Sequence, residues 1–184
     1  MTQIKRQRIA QIFVDTAIKQ IKEEGIESLS VRKIAEETCF SYATIYNYFA
    51  DFNALLWTCK KQMINELTSF MLVQDIDASK AGVHALFKRY VHYFLDHPHI
   101  FRFFYFHHVN PGEERFDEFG FDALMIKSFG FLKATKDEQM IQAIALTCIY
   151  AIHGILQLHF SGNDQADPAA IDQSIDTCLD VLLQ

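Results

Sequence analysis

Apolar residues recur with a helical period along the chain. Between residues 9 and 24, Phe13, Ala17 and Ile21 follow one another at every fourth position, and the charged side chains lie elsewhere. This spacing predicts an amphipathic helix. Further helices are predicted at residues 52–73, 80–96, 117–133 and 137–160, and after Asp167-Pro168. Only 3 Pro and 7 Gly occur in 184 residues, so the sequence favours an all-α fold.

Several residues have the chemistry of helix ends. Gly25 is predicted to stop the first helix in a left-handed conformation, because glycine has no Cβ to clash there. Ser30, Ser41 and Asp51 are predicted to cap the second, third and fourth helices, and the third is expected to run through Phe49. Breaks are predicted at Gln74–Asp77, His97-Pro98 and Pro111-Gly112.

The second and third helices have the spacing of a helix-turn-helix. Ile34, Ala35, Ile45 and Phe49 can all face inward across a tight turn. With Ile45 inward, a rotation of about 100° per residue turns the residues around it outward or to the flanks of the third helix. They are Tyr42, Ala43, Thr44, Tyr46, Asn47 and Tyr48. An amide can pair with adenine, methyl groups suit the thymine methyl and tyrosine hydroxyls reach phosphates, so this helix is predicted to contact DNA.

The charge of the chain restricts where DNA could bind. Residues 1–61 contain 9 Lys or Arg and 7 Asp or Glu, a net charge of +2, whereas residues 62–184 contain 8 and 16, a net charge of −8. DNA contacts are therefore expected to be local to the N-terminal part. The four cysteines show no zinc or disulfide spacing, and the first residues do not have the pattern of an export signal, which together predict a cytoplasmic protein.

Up to the start of the fourth helix the chain resembles the tetracycline-repressor (TetR) family. The resemblance rests on Gly25, Leu29, Ser30-Val31-Arg32-Lys33-Ile34-Ala35, Ser41, Thr44-Ile45-Tyr46, Tyr48-Phe49 and Ala54-Leu55-Leu56. It implies DNA contacts at Arg32, Ser41, Tyr42, Ala43, Thr44, Tyr46, Asn47 and Tyr48. Two positions depart from the family: Cys39 stands where a turn glycine is usual, and Phe52 stands where a phosphate-binding lysine is usual.

The resemblance also implies a division of labour along the chain. Residues 1–50 are expected to form the helix-turn-helix DNA-binding domain, joined by a long helix to a helical regulatory domain of residues 51–184 that binds a ligand and dimerises. The centre of the chain suits an apolar or aromatic ligand, since residues 87–131 hold 14 of the 25 aromatic residues. The predicted pocket residues are Phe87, Tyr90, Phe94, Phe101, Phe104, Tyr105, His108, Phe121, Met125, Phe129, Tyr150 and His153. Packing of these rings in an ordinary core remains an alternative.

The last two helices carry apolar stripes that predict a homodimer, with two helices from each subunit forming a four-helix bundle. The predicted interface residues are Cys148, Ile152, Gly154, Ile155, Ile171, Ile175, Cys178, Leu179 and Leu182. A core helix within one subunit is the alternative. Residues 140–163 contain no Asp, Glu, Lys or Arg, but their polar residues and the lack of flanking cations favour a protein-covered helix over a membrane span, and no membrane partner is expected.

No recognisable catalytic motif occurs, and no two histidines are spaced three or four residues apart on a helix, so no enzyme, cofactor or metal site is predicted.

The predicted function is a transcriptional regulator, and the resemblance implies a repressor. The protein is expected to bind a pseudo-palindromic double-stranded DNA operator as a homodimer and to be released from it by a small-molecule effector. Its half-sites would lie about 34 Å apart. The alternative is a helical small-molecule or lipid-binding dimer with lost or weak DNA binding.

Overall fold

The computed structural model describes residues 3–72, 77–110, 121–162 and 166–184, except for the side chains of residues 121–124. Within these residues, all the regular secondary structure is helical. The α-helices are α1 (Gln3–Glu24), α2 (Val31–Thr38), α3 (Tyr42–Ile45), α4 (Phe52–Met71), α5 (Lys80–Asp96), α6 (Pro98–Tyr105), α7 (Phe121–Ser128), α8 (Glu138–Phe160) and α9 (Pro168–Leu182). Short 3-10 helices cover Ile26–Ser28 and Phe129–Ala134. The all-α prediction is confirmed. The predicted loop residues Gln74–Ile76 and Pro111-Gly112 lie outside the described residues.

The chain divides into two compact units. The first unit contains the residues up to Leu67 and the segment that begins at His97, and the second contains Thr68–Asp96 and the chain from residue 119 onward. Residues of α4 therefore belong to both units. The predicted domain boundary between residues 50 and 51 remains a prediction, because it separates functions whereas the two units are defined by packing.

The core of the first unit is built on the apolar face of α1. Phe13, Ala17 and Ile21 of that face are fully buried. The Phe13 ring lies against the rings of Phe40 and Tyr48, with centroids 5.2 and 5.7 Å away. Full burial of one large apolar side chain contributes roughly 1.5–3 kcal/mol, so this face fixes α1 against the helix-turn-helix.

Helix α6 also packs in the first unit, and the sequence did not predict it. Pro98 ends α5 as expected, but it also stands at the first position of α6, where its missing N–H costs nothing. Ile100, Phe101 and Phe103 are buried. The buried amine of Lys60 on α4 donates a hydrogen bond to the carbonyl oxygen of Phe104 (2.9 Å), and burial lowers the pKa of Lys60 to about 8.

Two local predictions in the first unit are wrong. Helix α3 ends at Ile45 rather than Phe49, and hydrogen bonds spanning three residues carry the chain through Asn47 and Tyr48 instead. Gly25 has φ 88° and ψ 163°, which is an extended mirror-image conformation and not the left-handed helical one. It still favours glycine, because a φ of 88° strains any residue with a Cβ, and a Cβ there would also approach His99 Nδ1 to 3.0 Å.

The second unit packs α8 against α9 and α5. Phe87, Tyr90 and Phe94 on α5 are buried, as is Ile152 on α8. Along α5, Lys or His side chains at every fourth position meet carboxylates of α9. The nitrogen-to-oxygen pairs are Lys80–Asp180 (2.9 Å), His84–Asp176 (2.8 Å), Lys88–Asp176 (2.6 Å) and His92–Asp172 (2.9 Å). We call these pairs the α5–α9 ladder.

Helix α8 is long and apolar enough to span a membrane by length and composition alone, and it alone passes that test among the described residues. A third of the apolar window is already buried within the chain. The core helices of other, soluble proteins pass the same test, so a single helix of this kind is weak evidence for a membrane-spanning segment.

Candidate functional site

The helix-turn-helix is held by side-chain caps at the start of both helices. Ser30 Oγ accepts a hydrogen bond from the Lys33 amide, and Ser41 Oγ accepts one from the Thr44 amide, each at 3.2 Å. Both caps agree with the sequence prediction. The turn between the helices passes through Cys39, whose φ of 58° is left-handed and unfavourable for a residue with a Cβ.

The predicted DNA-contacting side chains of α3 lie on an exposed face. Ile45 is 1% exposed and anchors the segment, whereas Tyr42 and Tyr46 are 60% and 47% exposed. Ala43 and Asn47 are also exposed, and Thr44 and Tyr48 are half-buried. The Ser41 and Thr44 hydroxyls lie 2.8 Å apart, so Ser41 is engaged at the start of the helix. We call residues 41–48 the recognition segment.

The first turns of α1 reach the recognition segment, a contact that the sequence did not predict. Arg6 Nη2 donates a hydrogen bond to the main-chain oxygen of Asn47 (2.8 Å), and the Arg6 guanidinium lies 5.9 Å from the centre of the Tyr48 ring. Exposed cation–π contacts of this kind contribute about 0.5–1 kcal/mol. The run Lys5-Arg6-Gln7-Arg8 was the available signal, since a helix that begins before residue 9 brings these charges to the DNA-binding unit.

The start of α4 is less suited to binding a phosphate than the start of a helix without an acidic cap. Asp51 Oδ1 accepts a hydrogen bond from the Ala54 amide (2.7 Å), which confirms the predicted cap. The cap places a carboxylate at the helix terminus where an anion would otherwise bind. Phe52 follows it and is half-buried. Arg32 on α2 is exposed, and its contact with DNA remains a prediction.

Part of the predicted ligand pocket forms an aromatic cluster in the second unit. Phe87 contacts Phe129 with a centroid separation of 6.2 Å, and Tyr90 contacts Phe94 at 5.0 Å. His153 of α8 stacks on Tyr90 with an interplanar angle of 7°, and the Tyr90 hydroxyl lies 2.6 Å from His153 Nε2. Burial lowers the pKa of His153 to about 4, so its ring is neutral at pH 7 and Nε2 can accept from the hydroxyl.

Other predicted pocket residues are not part of this cluster. Phe101 and Phe104 are buried in the first unit, where Tyr105 and His108 are exposed. Met125 is buried in the second unit. Tyr150 is 69% exposed on α8, and the side chain of Phe121 lies outside the described residues. In the described part of the chain, no group of three His, Cys, Asp or Glu side chains could hold a metal ion.

The predicted dimer residues separate into two sets. Five are already buried within the single chain, and their part in a dimer interface remains a prediction. They are Cys148, Ile152, Ile171, Ile175 and Leu179. Gly154 is exposed, while Ile155, Cys178 and Leu182 are half-buried. Ile155 and Cys178 line an open cleft of about 590 Å³ between α8 and α9.

Comparison with protein-family models identifies the N-terminal domain that the sequence resemblance had indicated. Residues 13–56 match the family model of bacterial regulatory proteins, tetR family, which confirms the resemblance. No curated protein matches the chain in sequence.

Solved structures share the fold over almost the whole chain. A TetR transcriptional regulator from Rhodococcus sp. RHA1 is 16% identical, with 97% of each chain covered and a TM-score of 0.66. RolR, solved in complex with the ligand resorcinol, is 16% identical, with 98% of this chain and 90% of that chain covered and a TM-score of 0.67. The flavonoid-responsive regulator FrrA is 21% identical, with 96% of each chain covered and a TM-score of 0.63.

Proposed function

Since residues 13–56 form the N-terminal domain of the tetR family of bacterial regulatory proteins, we propose that the protein is a cytoplasmic transcriptional repressor. It binds a pseudo-palindromic double-stranded DNA operator as a homodimer and leaves it when a small, mainly apolar or aromatic ligand binds. The chain acts by binding and not as an enzyme. The observation that carries the proposal is the exposed recognition segment, supported from below by buried Ile45 and capped by Ser41.

The recognition segment has the chemistry to contact the major groove. The exposed methyl group of Ala43 suits a thymine methyl, and the exposed amide of Asn47 suits adenine. The Tyr42 and Tyr46 hydroxyls reach toward solvent, where phosphates would lie. Since α3 has a single turn, few base contacts are possible per subunit. Two copies in a two-fold dimer would double them across half-sites about 34 Å apart.

The dimer surface is the exposed side of the last two helices. Tyr150, Leu158 and Val181 are each more than half exposed there. The half-buried Ile155 and Cys178 line the cleft between them. Large exposed apolar side chains grouped in this way favour association, and a two-fold partner would cover the same patch on both subunits.

The effector site that we propose is the Tyr90–His153 pair with the rings around it. A neutral imidazole and a phenol hydroxyl can each donate or accept a hydrogen bond, which suits ligands that combine an aromatic ring with a few polar groups. Resorcinol and flavonoids, which RolR and FrrA respond to or bind, have this character. The ligand can displace the operator only if it binds the DNA-free conformation more tightly. Helix α4, shared between the two units, is the proposed route of transmission.

Mobility shift of the purified protein on the DNA that flanks its own gene tests the function. The assay uses a salt series with unrelated DNA as competitor. We expect specific binding to one pseudo-palindromic segment. Tyr46→Ala should abolish it, while Tyr46→Phe, the matched control, keeps the ring and should lose only part of the affinity.

The helical circular dichroism spectrum and the dimer mass of both Tyr46 variants should equal those of the wild type. Unfolding of Tyr46→Ala would make Tyr46 structural. Absence of specific binding by the wild type at every salt concentration would refute the repressor and favour the ligand-binding dimer that does not bind DNA.

A further inference from the structure

The cations of the first unit differ in whether they are already paired. Lys19 pairs with Glu37 and Lys22 pairs with Glu66, at 2.7 and 2.6 Å. Lys33 also pairs with a carboxylate, that of Glu24. By contrast, Lys5, Arg8 and Arg32 make no ion pair or hydrogen bond with any residue that the structure describes. The unpaired positive charge of this unit is therefore concentrated at the start of α1 and on α2.

The helix-turn-helix itself carries little charge for DNA. Between residues 30 and 50 the cations are Arg32 and Lys33, and Lys33 is held by Glu24. Residues 51–59 at the start of α4 contain no Lys or Arg and begin with Asp51. Since phosphate neutralisation supplies essentially all non-specific affinity for DNA, one unpaired arginine per subunit is a small contribution. A further cationic surface is needed beside the recognition segment.

The first two turns of α1 have that surface. Residues 3–8 are all exposed, and no Asp or Glu precedes Asp15 in the chain. Lys5 and Arg8 are three residues apart, so they lie on the same side of the helix. Between them, Arg6 is tied to the main-chain oxygen of Asn47 and to the Tyr48 ring. That contact holds these turns next to the end of the recognition segment.

We propose that the first two turns of α1 are a second DNA-contacting element, in which Lys5 and Arg8 bind phosphates that flank the groove contacted by the recognition segment. The inference rests on the proposed function and adds to it a site outside the helix-turn-helix. Phosphate contacts carry no sequence information, so this element strengthens binding to every duplex and sets its salt dependence. It provides the charge that the start of α4 lacks.

The test compares Lys5→Gln/Arg8→Gln with the wild type on the duplex that the wild type selects from a random-sequence library, and on an unrelated duplex of equal length. Each phosphate contact adds about 0.9 to the slope of log affinity against log salt. Since each subunit of the dimer loses two contacts, the slope should fall by about 3.6 in magnitude, so that between 50 and 200 mM salt the variant loses about 150-fold less affinity than the wild type. The same change is expected on both duplexes.

Lys127→Gln/Lys133→Gln is the matched control, because it removes two exposed cations from the second unit and changes the net charge equally. It should keep the wild-type slope. A wild type that binds DNA, with an unchanged slope in Lys5→Gln/Arg8→Gln, would overturn this inference alone. An equal fall of slope in both double variants would also overturn it, since net charge would then be the cause. A wild type that selects and binds no duplex would overturn the proposed function as well.

Discussion

Acid should destabilise the second unit through one side chain, His153. Its half-buried imidazole stacks on Tyr90, and this burial lowers its pKa from the usual 6.5 to about 4. Between these two values the unfolded chain binds a proton at this residue and the folded chain does not. The free energy of unfolding therefore falls as the pH drops from 6.5 to 4.

The size of the effect follows from the two pKa values. Relative to pH 7.5, proton linkage at His153 alone lowers the free energy of unfolding by about 2 kcal/mol at pH 5 and by about 3 kcal/mol at pH 4. Domains of this size are stable by about 5–15 kcal/mol, so the loss is a large fraction of the total.

Urea denaturation of the wild type and of His153→Phe, at pH values from 7.5 to 4, measures this effect. Phenylalanine keeps a ring against Tyr90 but cannot be protonated. Between pH 7.5 and pH 5, the wild type should therefore lose about 2 kcal/mol more unfolding free energy than His153→Phe. Carboxylates such as Asp176, whose pKa is lowered by hydrogen bonds from His84 and Lys88, also lose stabilising contacts in acid. Both proteins retain them, so the difference isolates His153.

Tyr90→Phe is the control for the hydroxyl. It removes the 2.6 Å contact with Nε2 but leaves the imidazole buried. Since burial is the cause of the lowered pKa, this variant should keep the acid sensitivity of the wild type. A parallel pH dependence in the wild type and His153→Phe would refute the reasoning, because the folded protein would then bind the proton as easily as the unfolded chain.

Two further substitutions test the helix-turn-helix. Cys39→Gly should raise the free energy of unfolding by about 0.5–1 kcal/mol, because glycine adopts a φ of 58° without strain, whereas Cys39→Ala should give no such gain in urea denaturation. Asp51→Asn should keep the cap on Ala54, with stability within about 0.5 kcal/mol of the wild type. Because it removes a negative charge from the helix terminus where a phosphate could bind, the same variant should bind DNA several-fold more tightly in a mobility shift, and weaker binding would contradict this expectation.

The starts of the helices are the most predictable part of the fold. Ser30, Ser41 and Asp51 all accept the expected amide hydrogen bond, because a cap depends on a side chain and a backbone amide three residues away. Helix α6 was missed because Pro98 was interpreted only as a break, although proline also suits a first helical position.

Features that depend on tertiary contacts were less predictable. An apolar residue every four positions, such as Ile171 and Ile175, indicates a face that something covers, but not whether the cover is the same chain or another. The exposed recognition segment follows from a local motif, whereas the Arg6–Asn47 contact joins residues 41 positions apart, so the basic run at residues 5–8 indicates charge in this unit but not the partner of Arg6.

The α5–α9 ladder has a consequence for how the last helix finds its place. The apolar residues of α9 repeat every four positions, so a slide of one turn, about 5.4 Å, would present an almost equivalent apolar face. The two ends of the ladder are not equivalent after such a slide, because Asp77 precedes its Lys and His residues on α5 and Asp96 follows them. In one direction Asp180 would approach Asp77, and in the other Asp172 would approach Asp96. Exposed pairs of this kind each contribute at most about 1 kcal/mol. Each slide exchanges the attraction of one end pair for repulsion, while the apolar contacts and the inner pairs stay nearly unchanged, so the end pairs favour the observed register.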